Sequence, residues 1–394
     1  MPTMPQEKFD LYFLAMGQGD CTLVKCPDDK VVMIDCGSDR GFDDDLITSG
    51  RALLRNLIGV TNLIDTVILT HHDGDHCNQL GTFLFNDPSP HVQINRIYYS
   101  NPYSYKNETL RNRCLQRYAI KDFVLKKKFG KPLINEVVIN ETNSFVNTWN
   151  NVLGYGKNDA IKKNIVNNRL TILSGTSTVG NKNWSISIIA ASVPHESGSP
   201  SNAINSGSIV TLLEFDGHKA LICGDATIDT EQFLLDNHDA AIANLKLIQV
   251  PHHGSDTSSS QAFVNKTDPN AAVISVQFLE HHHRLPKRQI MRRWTNIVTG
   301  GKPQHALDSW RSDAPAFNTL SNTMQQTIKN EEDFDEDDKT IFVGSNFWHY
   351  LDDTEGDYGV SYPNWMLNRE VYTDNLWQTS MLDGTLYYTF TLPL

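Results

Sequence analysis

Residues 67–80 read VILTHHDGDHCNQL, a purely apolar run followed at once by three histidines and two aspartates within six positions. Val67-Ile68-Leu69 is what a buried strand offers, and the ionisable groups begin where that strand must end. Uncompensated charges beside a core are costly, so a cluster of this density calls for a cation to satisfy it. In a loop between a strand and a helix, the spacing His71-x-Asp73-x-Asp75-His76 lets alternate side chains converge on two neighbouring sites. Neutral imidazole and carboxylate are ligands that zinc, manganese and iron accept. Two carboxylates among the four shift the preference toward harder ions, which keeps manganese beside zinc.

The same chemistry recurs further along the chain. LICGD ends a strand-like run on Asp225, a carboxylate able to bridge two ions, and VPHHGS ends another on His252 and His253. His195, in ASVPHESGS, and the run His281-His282-His283 add further imidazoles. A lone histidine such as His195 reads equally as an ordinary surface or hydrogen-bonded residue. Four segments that each deliver a ligand type to strand ends are hard to explain without metals.

Around these clusters, strands and helices alternate in two comparable halves. FDLYFLAM, CTLVKC and KVVMIDCG are short, rich in β-branched and aromatic residues, and separated by Gly, Pro and Asp. Residues 44–59 have helical spacing, with Leu46, Leu53, Leu54 and Ile58 on one side. SIVTLLEF, HKALICGD, a helix over 228–236, LKLIQVPHHGS and AAVISV form the second half. Two segments break the rhythm: residues 97–183 read as an insertion rich in Asn, Tyr and Lys, and residues 304–370 as a second one carrying the acidic loop NEEDFDEDD. Residues 371–394 supply the closing strands of what reads as a single domain over 1–394.

Charge is distributed unevenly. Residues 97–183 hold fourteen Lys and Arg against five Asp and Glu, a net of +9, so the rest of the 394-residue chain carries −21 of the overall −12. The stretch HHHRLPKRQIMRRW, 281–294, contains no acid at all. Such asymmetry speaks of polyanionic partners rather than of fold. No apolar run is long enough to span a membrane, and the first residues lack the basic head and apolar stretch of a signal peptide. The six cysteines have no zinc-ribbon spacing and read as reduced buried thiols of a cytoplasmic protein, with Cys77, beside the cluster, as the candidate exception.

Taken in order, FLAMGQGDCTLV, VVMIDCG, ILTHHDGDH, NSGSIVTLLEF, LICGD, VPHHGSDTSSS and AAVISV resemble the metallo-β-lactamase superfamily. Within it they look most like the hydrolase domain of ComEC-type competence proteins and their soluble relatives. The resemblance covers residues 8–96 and 184–295, with a weaker match in VYTDNLWQTSMLDGTLYYTF. It implies an αββα sandwich, a two-metal site at one edge, and hydrolysis, commonly of phosphodiesters including DNA. Carried onto this chain, His71 and Asp73 would hold one ion, Asp75 and His76 the other, and Asp225 would bridge them. Asp35 would be the structural acid behind the site, and His283 and His195 the remaining ligands. His252, His253, Ser255 and Thr257 resemble the stretch that meets substrate phosphate. The membrane channel of competence proteins has no counterpart here, which leaves the hydrolase.

The expected chemistry is attack by water activated by two divalent ions, zinc or manganese, with charge on the phosphoryl oxygen neutralised in flight. Asp73 or Asp75 would orient that water. His252 or His253 would stabilise the developing oxyanion, protonate the leaving oxygen, or simply bind metal. Ser255 and Thr257 would donate to phosphate or cap a helix. A nuclease acting on DNA or RNA is the leading reading, with Lys126, Lys127 and Lys128 of the basic insertion tracking the backbone and its tyrosines stacking bases. The alternative is a small-molecule phosphodiesterase for a nucleotide, cyclic dinucleotide or phosphocholine-type ester; a lactonase or β-lactamase fits the basic surroundings less well.

Overall fold

The computed structural model describes residues 7–39, 44–85, 92–99, 169–177, 181–191, 193, 204–276, 285–286, 288–298, 347–350, 365–368, 376–379 and 385–392. The early apolar runs become β1 (Glu7–Phe13), β2 (Thr22–Lys25), β3 (Val31–Ile34), β4 (Leu63–Leu69) and β5 (Gln93–Tyr99). The second half supplies β6 (Leu170–Thr176), β7 (Asn183–Ala190), β8 (Val210–Phe215), β9 (His218–Ile222), β10 (Leu247–Gln249) and β11 (Ala272–Ser275). Late in the chain come β12 (Phe347–Tyr350), β13 (Trp365–Asn368), β14 (Leu376–Thr379) and β15 (Leu386–Leu392). One sheet runs β15-β1-β2-β3-β4-β5, a second β14-β11-β10-β9-β8-β7-β6, and β12 pairs with β13 in a ribbon of its own.

Each sheet is antiparallel on one side and parallel on the other. In the first, β3, β4 and β5 run parallel; in the second, β9, β10, β11 and β14 do. Parallel neighbours put several strand C-termini at one edge, which is where ligands gather in α/β sheets. The loops after β3, β4, β9 and β10 carry Asp35, His71–His76, Asp225 and His252–His253 respectively.

The period-2 alternation of the strands sorts the apolar residues between two layers. Val32, Ile34 and Ile68 face a core shared with Ile186, Leu212, Leu221 and Ile248 of the second sheet. Val31, Met33, Val67 and Leu69 face a separate cluster with Ile47, Leu54, Leu80 and Phe83 of the covering helices α1 (Asp45–Ile58) and α3 (Leu80–Phe85), between which lies the short α2 (Gly74–Cys77). Phe9 joins the sheets through Trp184 and Phe215, each ring centroid 6.0 Å away. Over the second sheet lie α4 (Ile228–Ile242), α5 (Gln261–Thr267) and α6 (Arg288–Val298), which bury Leu234, Phe263 and Trp294. The result is an αββα sandwich, the layering expected from the sequence. Truncating a fully buried member of the inter-sheet core, such as Leu212→Ala, costs about 2–5 kcal/mol.

Two helical expectations are refined. The buried stripe of α1 is Ile47, Gly50, Leu54 and Ile58, while Leu46 is half-buried; a 3.6-residue period centred on Leu54 passes through Ile47 rather than Leu46. Asp44 caps that helix by accepting from the Leu46 amide at 2.9 Å. The helix over 228–236 continues to Ile242 past a break in helical geometry at His238. No helix among the described residues is long and apolar enough to cross a membrane.

Candidate metal centre

The loop after β4 and the turn after β10 face one another across Asp225. Strand β4 ends at Leu69, and Thr70 is pinned from both sides: its amide donates to Asp35 Oδ1 at 2.7 Å and its hydroxyl to Asp35 Oδ2 at 2.6 Å. Asp35 reaches both because it sits at φ 57, in the left-handed region that costs a non-glycine residue roughly 1–2 kcal/mol. Across the site, His252, His253 and Gly254 are all left-handed, at φ 50, 51 and 78. This tight turn turns two consecutive imidazoles toward the same centre, where an extended chain would send them to opposite faces. A Cβ on Gly254 would also come within 2.6 Å of Pro286.

Four imidazoles converge. His76 Nδ1 lies 2.9 Å from Asp35 Oδ2, and His253 Nδ1 lies 2.6 Å from the Ser275 carbonyl. His71 Nδ1 lies 3.1 Å from Thr70 Oγ1 and 3.3 Å from Ser208 Oγ; His252 Nδ1 lies 2.7 Å from Thr257 Oγ1. Every Nδ1 therefore faces outward to an oxygen, and every Nε2 faces the Asp225 carboxylate. Nε2 of His76 and His253 stand 3.1 and 3.3 Å from Asp225 Oδ1, and 3.2 Å from each other. Nε2 of His71 and His252 stand 3.6 and 3.7 Å from Asp225 Oδ2. Asp73 Oδ2 is 3.7 Å from His71 Nε2, and Asp75 Oδ2 is 3.7 Å from His253 Nε2.

A carbonyl and an ionised carboxylate accept hydrogen bonds, so His253 and His76 must carry their protons on Nδ1. Their Nε2 atoms then turn lone pairs toward one another and toward a carboxylate oxygen. A divalent cation reconciles those three atoms, as would a proton held on His76 Nε2 by the Asp225 carboxylate. Three ligands about 2.0–2.1 Å from one tetrahedral ion stand about 3.3–3.4 Å apart, close to the 3.1, 3.2 and 3.3 Å found here. Among the described residues no hydrogen-bond partner reaches His71 Nε2, Asp225 Oδ1 or Asp20 Oδ1, although all three are buried. Such orphans cost about 1–3 kcal/mol each unless something else satisfies them. Asp20, His76, Asp225 and His253 form a buried group whose ligand atoms all lie within 4.8 Å of one another, so the residues present fit a divalent ion.

Electrostatics divide the set. Burial opposes charge on His76, but the Asp225 and Asp35 carboxylates outweigh it and raise its pKa well above the ordinary histidine value. Burial likewise opposes charge on His253, and Asp225, then Asp20, raise it. In His71 and His252 burial prevails and the pKa is lowered. Asp225, buried yet facing four imidazoles, is held well below the usual carboxylate range. Burial lifts Asp35 to about 6 despite the His76 ring beside it. For Cys77, burial and then Asp35 push the thiol up to about 12, and its Sγ donates to the Asp73 carbonyl, so it is no thiolate ligand. Cys21, Cys26, Cys36, Cys77 and Cys223 are all buried and free.

The structure thus brings together His71, Asp73, Asp75, His76, Asp225, His252 and His253. Ser255 and Thr257 lie beside them, but their hydroxyls are engaged within the turn, with each other at 3.1 Å and, for Thr257, with His252. His195, His283, Lys126, Lys127 and Lys128 lie outside the described residues, as do residues 100–168 of the basic segment. Sequence reasoning gave no role to Asp20, Asn205 or Ser208. The signal was present in GQGD: a Cβ on Gly19 would fall 2.2 Å from the Gly37 carbonyl oxygen, and one on Gly37 would fall 2.0 Å from the Asp75 carbonyl carbon. Three loops can therefore stack backbone on backbone, locked by Asp20 N to Asp75 O at 3.0 Å, Gly37 N to Asp20 O at 3.0 Å and Cys36 N to His76 O at 2.9 Å. That stack sets the Asp20 carboxylate 3.7 Å from His76.

Behind the turn, buried Glu231 of α4 accepts from the amides of Ser259 and Ser260, the latter at 2.8 Å. Arg293 and Trp294 of α6 hold Ser259 from the other side, each at 3.0 Å. Burial raises Glu231 to about 7 against the pull of those amides and of Arg293.

Comparison with known proteins agrees with this architecture. Residues 14–152 match the model of the metallo-beta-lactamase superfamily. Over 81 residues, a fifth of this chain, the sequence is 33% identical to Recombination protein 2 of Haemophilus influenzae; the match spans only 10% of that protein's length. Among solved structures, the metallo-beta-lactamase fold protein YhfI of Bacillus subtilis overlaps 74% of this chain and 93% of its own, at 11% identity and a TM-score of 0.39. Human tRNase Z, short form, overlaps 67% and 91%, at 13% identity and a TM-score of 0.32. Overlaps at such scores carry nothing about substrate. In sequence, over residues 14–152, the chain resembles the metallo-beta-lactamase superfamily.

Proposed function

We propose that the chain hydrolyses phosphodiester bonds of nucleic acid, using two divalent ions, zinc or manganese, held on either side of Asp225. The observation that carries this reading is the set of four imidazoles whose Nδ1 atoms are anchored outward and whose Nε2 atoms meet the two oxygens of one carboxylate. In it, His71, Asp73, His252 and Asp225 would hold one ion, and Asp75, His76, His253 and Asp225 the other, with the Asp20 carboxylate in reach of the second. Bound there, such ions lower the pKa of water and offset charge on a phosphoryl oxygen.

The remaining work falls to the chain. Asp73 and Asp75, with side chains 20% and 30% exposed, are the carboxylates that substrate and water can reach, and they orient the attacking water. In this reading His253, buried and with its Nδ1 committed to Ser275, serves as a ligand rather than as the acid for the leaving oxygen. Thr257 serves by fixing the ring of His252, and Ser255 by fixing Thr257. Support for a nucleic acid comes from the +9 net charge of residues 97–183, where Lys126, Lys127 and Lys128 would track phosphates, and from the likeness to a recombination protein.

The test is a metal-supplemented digest of single-stranded DNA, duplex DNA, RNA and bis-p-nitrophenyl phosphate. Wild type should cleave a nucleic acid and the small diester, and Asp225→Ala neither. Replacing Lys126, Lys127 and Lys128 with Glu should weaken polymer cleavage steeply and flatten its salt dependence, while the small diester is barely affected. Cleavage of the small diester alone would make a small phosphodiester the substrate; no cleavage of either would end the reading.

A further inference from the structure

Asn205 faces the first half of the centre, and no part of the reading above uses it. It is 3% exposed, and its Nδ2 lies 3.0 Å from His252 Nε2, the nitrogen aimed at Asp225. Among the described residues no partner reaches its Oδ1, which is buried. The side chain is thus buried with one amide end set on the imidazole nitrogen that the two-ion reading gives to an ion, and the amide can turn without losing a partner for Oδ1.

The turn that presents Asn205 is held on several sides. Ser208 touches His71 Nδ1 at 3.3 Å, and the Ile209 amide donates to the Thr70 carbonyl at 2.9 Å. Ser206 Oγ bonds Thr227 Oγ1, and the Thr230 hydroxyl donates to the Ser206 carbonyl at 2.9 Å. The amide is therefore delivered to His252 by a scaffold already committed to His71 and to the start of α4.

Resting on the two-ion reading, we infer that Asn205 is a further ligand of the ion held by His71, Asp73, His252 and Asp225, binding through Oδ1 once its amide turns over. Rotation about the last side-chain bond exchanges Oδ1 and Nδ2 with no change of shape. It would set an oxygen lone pair about as far from His252 Nε2 as Nδ2 now lies. Two ligands about 2.1 Å from one ion stand about 3.0–3.4 Å apart, so an oxygen at that place would lie within reach of an ion held by His252 Nε2. With Asn205 the first half offers two imidazoles and three oxygens, a set that suits manganese better than zinc.

The alternative is that Asn205 only hydrogen-bonds His252, and substitution separates the two. Aspartate supplies the oxygen without the N–H; alanine supplies neither. Chelator-stripped full-length protein is titrated calorimetrically with Mn2+ and with Zn2+, and folding is checked by thermal melts. Asn205→Ala should weaken the weaker Mn2+ step by at least about tenfold and the Zn2+ step less, since zinc is content with four ligands. Asn205→Asp should keep or tighten the Mn2+ step. Should Asn205→Ala fail to fold, the isosteric Asn205→Asp carries the test alone. A weaker Mn2+ step in Asn205→Asp would overturn the assignment, because aspartate would then have taken the Nε2 proton and left His252 in the wrong tautomer. Two-ion uptake unchanged in Asn205→Ala would overturn it as well, and leave the two-ion reading standing. Wild-type protein that takes up a single Mn2+ would overturn both.

Discussion

The two halves of the centre use the same residue types and are built differently. Around Asp225 Oδ1, His76 and His253 stand at 3.1 and 3.3 Å, anchored by a carboxylate and a backbone carbonyl. Around Asp225 Oδ2, His71 and His252 stand at 3.6 and 3.7 Å, anchored by the hydroxyls of Thr70, Ser208 and Thr257. A carboxylate or a strand carbonyl has no rotor to turn, whereas a hydroxyl accepts or donates as its surroundings require. The first arrangement is rigid and electron-rich; the second is adjustable, and its His252 is more exposed than His253. In the two-ion reading, a site that holds ions and admits substrate would gain from having one half of each kind.

The largest difference should appear when each half loses its imidazole. His76→Ala removes the ring between Asp35 and Asp225 and should abolish both uptake of the tighter ion and hydrolysis. His71→Ala should keep the tighter ion and lose the weaker. The halves should also respond oppositely to pH. His76 and His253 have raised pKa values, so protons compete there and ion affinity should climb as pH rises through and beyond the usual histidine range. His71 and His252 are lowered, already neutral, and should show a flat profile near neutrality. Ion titrations of the two variants from pH 6 to pH 8.5 decide this; equal slopes would erase the distinction.

A smaller effect is expected one layer out. Asp35→Asn keeps the shape but weakens the acceptor for His76, and should cost about 10–100-fold in affinity for the tighter ion. Ser208→Ala, which leaves Thr70 to hold His71, should cost less than tenfold in the other half. Competition against a fluorescent chelator measures both. A reversed order would mean that hydroxyls, not the buried carboxylate, set the geometry.

The smallest effect concerns the support behind the turn. Glu231 is raised in the folded chain from 4.5 to about 7, so its contribution to stability is fully present below the unfolded value and is lost as pH rises through about 7. Wild-type melting temperature should therefore fall across that window more than that of Glu231→Gln. Parallel profiles would show that the amides of Ser259 and Ser260 keep the carboxylate ionised throughout.

What the sequence made legible follows from distance along the chain. His71, Asp73, Asp75 and His76 are read together because six residues span them, and Val67-Ile68-Leu69 marks the strand that places them. Asp225 was legible because LICGD breaks an apolar run with one acid. The partners of those ligands were not. The pairing of His252 with His71 and of His253 with His76 depends on a left-handed turn that two adjacent histidines do not advertise. Asp20 arrives through the stacking of Gly19 on Gly37, and Asn205 through a turn held by side-chain hydroxyls, neither of which leaves a periodic trace. The strands were readable for the opposite reason: a short apolar run rich in β-branched residues is a local signal, and Val31 to Ile34 give it within four residues.

The last two strands described add a consequence of another sort. β14 joins the second sheet beside β11, and β15 joins the first beside β1, where the Ala15 amide also meets Thr385 Oγ1 at 3.3 Å. A ribosome that has released residues 1–370 has released all the ligands that gather around Asp225, but β1 and β11 each still lack a neighbour. Pairings this distant in the chain form slowly, because the loop must close before its contacts repay the entropy. The ligands are thus complete in the chain before the two sheets are, and a chain cut before residue 376 should keep every ligand named around Asp225 yet lose the strands that flank β1 and β11.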